Sequence, residues 1–137
     1  MTWHVGRLID HVHLRVADLS ASIRFYAAVL ESLGLPPGRT TPHSFQADEL
    51  YISGLDTGAV PSRVHLAFQA RDQAMVQAFH RAAVAAGGRD NGGPGERSYH
   101  PGYYAAFVLD PDGNNIEAVF HGPARRSAPS VEIETGA

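Results

Sequence analysis

Apolar and polar residues alternate along Ile9-Asp10-His11-Val12-His13-Leu14-Arg15-Val16. A two-residue period belongs to a half-buried strand, because successive side chains leave opposite faces. His11, His13 and Arg15 then share one face, and Val12, Leu14 and Val16 the other. The same reading predicts strand 8–16, helix 19–32, short strands at 39–46 and 49–53, strand 64–70, helix 72–86, and strands 103–109 and 115–121. Gly and Pro punctuate loops at 54–62 and at 87–95. Asp110-Pro111-Asp112-Gly113 suits a tight turn between the last two strands, since Pro fixes φ and Gly accepts left-handed backbone. The tail, 123–137, carries little apolar patterning and is expected to be flexible, at least in part.

Strand, helix and short strands occur twice, so the pattern was tested for a repeat. At one offset of 54 residues, His11 matches His65, Leu14 matches Phe68, Asp18 matches Asp72, Phe25 matches Phe79, and Gly34 matches Gly88. Asp18 and Asp72 stand where helix N-caps belong, and Phe25 and Phe79 fall on the apolar stripes of their helices. Each match is weak alone. At a common offset they define two modules, 8–54 and 63–121, within one domain spanning 1–122.

Composition narrows the chemistry. The chain has 137 residues and no cysteine, which excludes disulfides, a thiolate nucleophile and a Cys-based zinc site. All eleven basic residues are Arg, so a Schiff-base or Lys general-base mechanism is excluded as well. A net charge of −3, with no basic cluster beyond Ala124-Arg125-Arg126, gives nucleic-acid binding no support. No apolar run approaches a membrane span, and the first ten residues lack the apolar stretch of a signal peptide; the expected location is the cytoplasm. Neither a G-x-S-x-G elbow nor a G-x-G-x-x-G loop occurs. Eight His and the carboxylates are left to carry the chemistry.

The repeat separates the histidines of the first strand. His11 has a counterpart in His65, whereas His13 matches Ala67. On the last strand, Glu117, Val119 and His121 alternate against Ile116, Ala118 and Phe120. Two imidazoles and a carboxylate from separate strands would form a facial triad with coordination positions open. On spacing alone, that triad and ordinary solvated strand faces remain equally open. His4, His43, His80 and His121 have no repeat support and are read as helix surface or strand ends.

The opening motif, "HVHLRVADLSASIRFY", and the closing motif, "DPDGNNIEAVFH", resemble those of the vicinal oxygen chelate superfamily. That superfamily includes glyoxalase I, fosfomycin-resistance transferases, extradiol dioxygenases and bleomycin-resistance proteins. The resemblance covers residues 8–121. It implies an α+β fold of two tandem βαβββ modules forming a cupped mixed sheet with helices outside, and a homodimer. It also implies a divalent metal ion (Fe, Mn, Ni, Zn or Mg) on His11, His65 and Glu117, chelating oxygens of a small substrate and stabilising an enolate or oxyanion.

Subclasses differ in detail. Glyoxalase I resemblance implies a fourth ligand, and aligning Leu50-Tyr51 with Ile116-Glu117 puts Tyr51 there, a poor ligand for that enzyme's metals. The extradiol signature finds His100, Asp110, Pro111, Gly113 and Glu117, but Ala106-Phe107 replaces its aliphatic-Tyr pair. A phosphonate pocket would have only Arg15 on the ligand strand and Arg97 ahead of the last strands. Expected catalytic residues are Glu117, His100 and Tyr104, and expected substrate-binding residues are His13, Arg15, Tyr51 and Tyr103. An equal alternative has Tyr103 and Tyr104 packing on the sheet and His100 capping a loop. The expected function is a metal-dependent lyase, isomerase or dioxygenase-like enzyme; the alternative is a drug-binding or fosfomycin-type resistance protein.

Overall fold

A computed structural model describes residues 2–134. Module one runs β2 (Val12–Val16), α1 (Leu19–Ser32), β3 (Arg39–Thr40), β4 (Ser44–Ala47) and β5 (Leu50–Gly54). Module two runs β6 (His65–Gln69), α2 (Gln73–Ala85), β7 (Arg89–Glu96), β8 (Tyr104–Leu109) and β9 (Asn115–Phe120). Each folds into a four-stranded sheet, in the orders β2-β5-β4-β3 and β6-β9-β8-β7. Position for position these are the same βαβββ unit. In each, the first strand lies parallel to the last and the remaining pairs are antiparallel. The fold is the α+β pair of tandem modules that the repeat implies, with two mixed sheets that share no hydrogen-bonded edge.

The matched residues do matched work. Asp18 accepts from the Ala21 amide at 3.0 Å and Asp72 from the Met75 amide at 2.7 Å, satisfying a free donor at each helix start. Phe25 and Phe79 are fully buried. With Leu14, Val16, Ile52, Val76, Val108 and Ile116 they form one core running through both modules, and α1 packs against α2. Gly34 and Gly88 sit at equivalent places for different reasons. Gly34 takes a left-handed φ of 74°, whereas a Cβ on Gly88 would stand 2.7 Å from the Phe25 ring and 2.5 Å from Val108.

The Asp110–Gly113 turn ties the modules together. Gly113 has φ 90° and its amide bonds to the Asp110 carbonyl at 2.9 Å, as a tight turn requires. The buried Asp110 carboxylate accepts from the Asp112 amide, the Asn114 amide and the Asn114 side chain. It also accepts from Tyr26 of α1 at 2.5 Å. Burial, followed by the negative charge of Asp110, pushes the Tyr26 phenol far above its ordinary range, so it acts as a permanent donor.

Three elements depart from the sequence reading. Residues 87–95 were expected as a loop, yet β7 runs through them, pairing with β8 across register shifts at Asp90/Gly92 and Gly92/Gly95. Glycines and a proline weaken a central strand, but an edge strand tolerates them as bulges. The first strand begins at Val12 and not at residue 8, because β5 starts opposite it after a turn in which Asp48 takes φ 46°. Leu8 and Ile9 are left exposed. Lastly, part of the expected flexible tail, Val131–Glu134 (β10), pairs antiparallel with Thr2–Val5 (β1). Among the described residues no helix is long and apolar enough to cross a membrane.

Candidate metal and substrate site

On each sheet one face carries the helix and the opposite face is open. The open face of the second sheet is built by alternation. His65, Ala67 and Gln69 of β6 point outward while Leu66 and Phe68 are turned toward the core. Glu117 of β9 pairs in register with Ala67 on one side and Phe107 on the other. His65 Nε2 lies 2.8 Å from Glu117 Oε1, and the Tyr103 hydroxyl donates to Glu117 Oε2. Glu117 is only 2% exposed, so its carboxylate is held by an imidazole and a phenol in place of water. Burial, then the hydrogen bond to Glu117, pushes the Tyr103 phenol up to about 12.

His100 and His121 stand at the rim of this group. His100 Nδ1 lies 2.9 Å from the Pro101 carbonyl and its Nε2 lies 2.8 Å from His121 Nδ1. A carbonyl can only accept, so His100 carries its proton on Nδ1 and His121 donates to His100 Nε2. That leaves His121 Nε2 as the outward-facing proton acceptor. Both rings pack against Tyr103, with centroids 5.4 and 5.2 Å away, and Tyr99 packs edge-on at 4.9 Å. The sequence reading dismissed His121, although its alternation with Glu117 and Val119 places it on the same face.

Tyr104 was expected to be catalytic, at the mouth of the pocket. It lies instead on the helix face, where its hydroxyl accepts from Gln77 at 3.0 Å. A one-residue step in a strand reverses the face, and Tyr103 takes the position.

His13, Arg15 and Tyr51 gather on the open face of the first sheet. His13 bonds Ser53 Oγ at 2.7 Å and packs edge-on against Tyr51, its register partner, at 4.7 Å. Burial, then the charge of Arg15, holds the His13 imidazole below its usual pKa. Arg15 reaches Asp56 at 2.7 Å. Arg15, Tyr51, Ser53, Asp56, Leu19 and His43 line an open hollow of about 410 Å³.

Within one chain His11 does not join His65 and Glu117. It precedes β2, and its Nδ1 bonds Asp10 at 2.7 Å. The sheets to which His11 and His65 belong have no common edge. Among the described residues no three His, Cys, Asp or Glu side chains come together as a metal-binding group. The two that do converge, an imidazole nitrogen and a carboxylate oxygen, are donors that divalent first-row metals accept. Tyr103 on the second carboxylate oxygen is the sort of outer partner that orients such a ligand.

Two βαβββ modules carrying a His–Glu pair on an open sheet face define the class of fold. A sequence profile of the Glyoxalase/Bleomycin resistance protein/Dioxygenase superfamily matches residues 8–118. The chain belongs to that superfamily. It is similar to the crystal structure of a glyoxalase/bleomycin resistance protein from Albidiferax ferrireducens T118, with 32% identity and a TM-score of 0.71 over 82% of this chain and 98% of that one. A glyoxalase-related enzyme from Fulvimarina pelagi matches at 28% identity and a TM-score of 0.61, over 83% of this chain and 88% of that one. Oxidase ChaP-H1, at 22% identity and a TM-score of 0.55 over 81% and 93% of the two chains, shares the fold. No curated protein matches the chain.

Proposed function

We propose that the chain is a metal-dependent enzyme of the glyoxalase or dioxygenase type, acting on a small oxygenated molecule as a lyase, isomerase or dioxygenase. One observation carries the reading: the buried carboxylate of Glu117 meets His65 at 2.8 Å on an otherwise open sheet face. A stability role alone does not call for an imidazole there, since an apolar pair of similar volume would avoid the desolvation cost. The superfamily's known enzymes support the same reading.

The third ligand is His11 of a second copy, in a homodimer that lays the open face of one chain's first sheet over the open face of the other's second sheet. Two features support this. The His11 side chain is 65% exposed, and Asp10 holds its Nδ1, which leaves Nε2 as the free donor. A divalent cation on His11, His65 and Glu117 would supply Lewis acidity to adjacent substrate oxygens. The chain's own groups do the rest. Tyr103 keeps its proton at neutral pH and fixes the orientation of Glu117. His121 Nε2, backed by His100 and the Pro101 carbonyl, accepts a proton at the rim. Tyr51 and Ser53, the partners of His13, line the hollow that takes the remainder of the substrate.

A second reading, a drug-binding protein, is favoured by Tyr99, which is 73% exposed at the head of the aromatic cluster. Metal content separates the two. Elemental analysis of the pure protein should find stoichiometric divalent metal, lost in His65→Ala. A wild type that neither carries nor can be loaded with metal overturns the enzyme reading and leaves the binder. Hemithioacetal, catechol and fosfomycin panels then distinguish the reactions.

A further inference from the structure

The open face of the second sheet also holds a cation without an acidic partner. Arg97 lies beside the β7–β8 hairpin, its guanidinium carbon 5.3 Å from the centre of the Phe107 ring. Phe107 is the register partner of Glu117, and its ring is 6.1 Å from that of His65, so Arg97 belongs to the face of the candidate metal pair. Its fixed contacts are neutral: Nη2 donates to the Gly93 carbonyl at 2.7 Å and Nη1 to the Glu96 carbonyl at 3.2 Å. It makes no ion pair among the described residues. By contrast, Arg15, the arginine of the other open face, is neutralised by Asp56 at 2.7 Å.

Two of the three glycines of β7 border this side chain. A Cβ at Gly92 would stand 3.3 Å from Arg97 Nη2 and 3.1 Å from Phe107, and a Cβ at Gly95 would stand 3.1 Å from Arg97 Nη1. The bulged strand, bare of side chains at Gly92 and Gly95, thus forms a bed across which the guanidinium lies. Carbonyls and an aromatic face orient the cation without cancelling its charge. Two of its five N–H donors are used, and the planar fork retains three for a ligand.

We infer that Arg97 is the anion anchor of this site, and that the substrate carries an anionic oxygen group, a carboxylate or a phosphonate, near the oxygens presented to His65 and Glu117. The inference rests on the reading of that face as a substrate site, but not on the metal. Calorimetric titration of the protein as purified tests it, with pyruvate, methylphosphonate and uncharged pyruvamide as probes. The wild type should bind one or both anions, more weakly as salt is raised, and Arg97→Gln should weaken that binding by about tenfold or more. Arg97→Lys keeps the charge but loses the fork, so it should fall between the two. Arg24→Gln, on the exposed side of α1, should leave anion binding unchanged, and pyruvamide should not distinguish wild type from Arg97→Gln. The preferred anion identifies the source. Anion binding absent from the wild type, or retained in Arg97→Gln, or lost in Arg24→Gln, overturns the proposal. Metal content of Arg97→Gln, measured in parallel, should equal that of the wild type, so failure of the anchor and failure of the metal site read out separately.

Discussion

The two modules share topology, caps and core phenylalanines, yet their open faces have diverged. Module two sets Glu117 opposite Ala67, with His65 and Tyr103 on its two oxygens. Module one sets Tyr51 opposite His13 at the equivalent register position, and the pair packs edge-on. Module two's face offers ligand-type atoms and an uncancelled arginine; module one's offers aromatic surface, an imidazole held below its usual pKa and an arginine tied to Asp56. On the proposed reading, module two's face holds the ion and module one's frames the ligand. His11, the third candidate ligand, lies beside the face that carries Tyr51 where module two has Glu117.

The sharpest way to break this comparison is to alter the equivalent residues one at a time. Glu117→Gln keeps the shape of the buried group and one acceptor oxygen but removes its charge, and it should abolish divalent-metal loading in elemental analysis. Tyr51→Phe, at the matching position, should leave loading intact. Loss in both variants, or in neither, would mean that the faces are not functionally distinct.

The core should behave in the opposite way, as two equal halves. Phe25→Ala and Phe79→Ala each empty a fully buried site, and each should cost about 3–5 kcal/mol in denaturant unfolding. A large cost at one and a small cost at the other would show that the modules contribute unequally to one cooperative unit.

The framework was written plainly in the chain. A single offset found both caps and both phenylalanines, because capping and helix burial are local and recur wherever the unit recurs. Aligning the last strands, Leu50-Tyr51 against Ile116-Glu117, picked Tyr51 as the counterpart of Glu117, and the strand register puts the two at equivalent positions. What stayed hidden depended on partners. β7 reads as a loop because of its glycines and proline, and two of those glycines, Gly92 and Gly95, sit against Arg97. β1 and β10 lie at opposite ends of the chain and exist through each other. The choice of Tyr103 over Tyr104 was legible: counting back from Phe107, opposite Glu117, puts odd-numbered residues on that face.

A smaller effect should follow from removing the phenol that orients the carboxylate. Tyr103→Phe leaves His65 on Glu117 but frees Oε2, and outer-shell losses of this kind weaken metal affinity by about 10–100-fold. Competition against a chromophoric chelator would measure it. The matching change in module one, Ser53→Ala, removes the hydroxyl bonded to His13 and should leave metal affinity unaltered.

The finest test concerns the junction that holds the unlike faces in one molecule. Asp112, in the turn after β8, accepts from the Ala17 amide just ahead of α1 at 3.2 Å, while its other oxygen is buried without a partner. Burial raises the pKa of its carboxyl above the ordinary value; the Ala17 amide opposes the shift, and the charges of Asp110 and Asp18 add to it. A raised folded-state pKa means that the native protein binds this proton more tightly than the unfolded chain. Its contribution to stability is therefore present below the unfolded value, about 3.9, and is lost as pH rises through the higher folded value. At neutral pH the ionised group works against the junction. Asp112→Asn keeps an acceptor for Ala17 and removes the charge, so it should stabilise the protein at pH 7, by an amount on the order of 0.5 kcal/mol. Below the unfolded value, both proteins carry a neutral side chain and the gain should vanish. Thermal unfolding of the two proteins across that window measures it. A gain that persists in acid would assign the effect to packing at the turn, and a loss at neutral pH would show that the charge helps to join the modules.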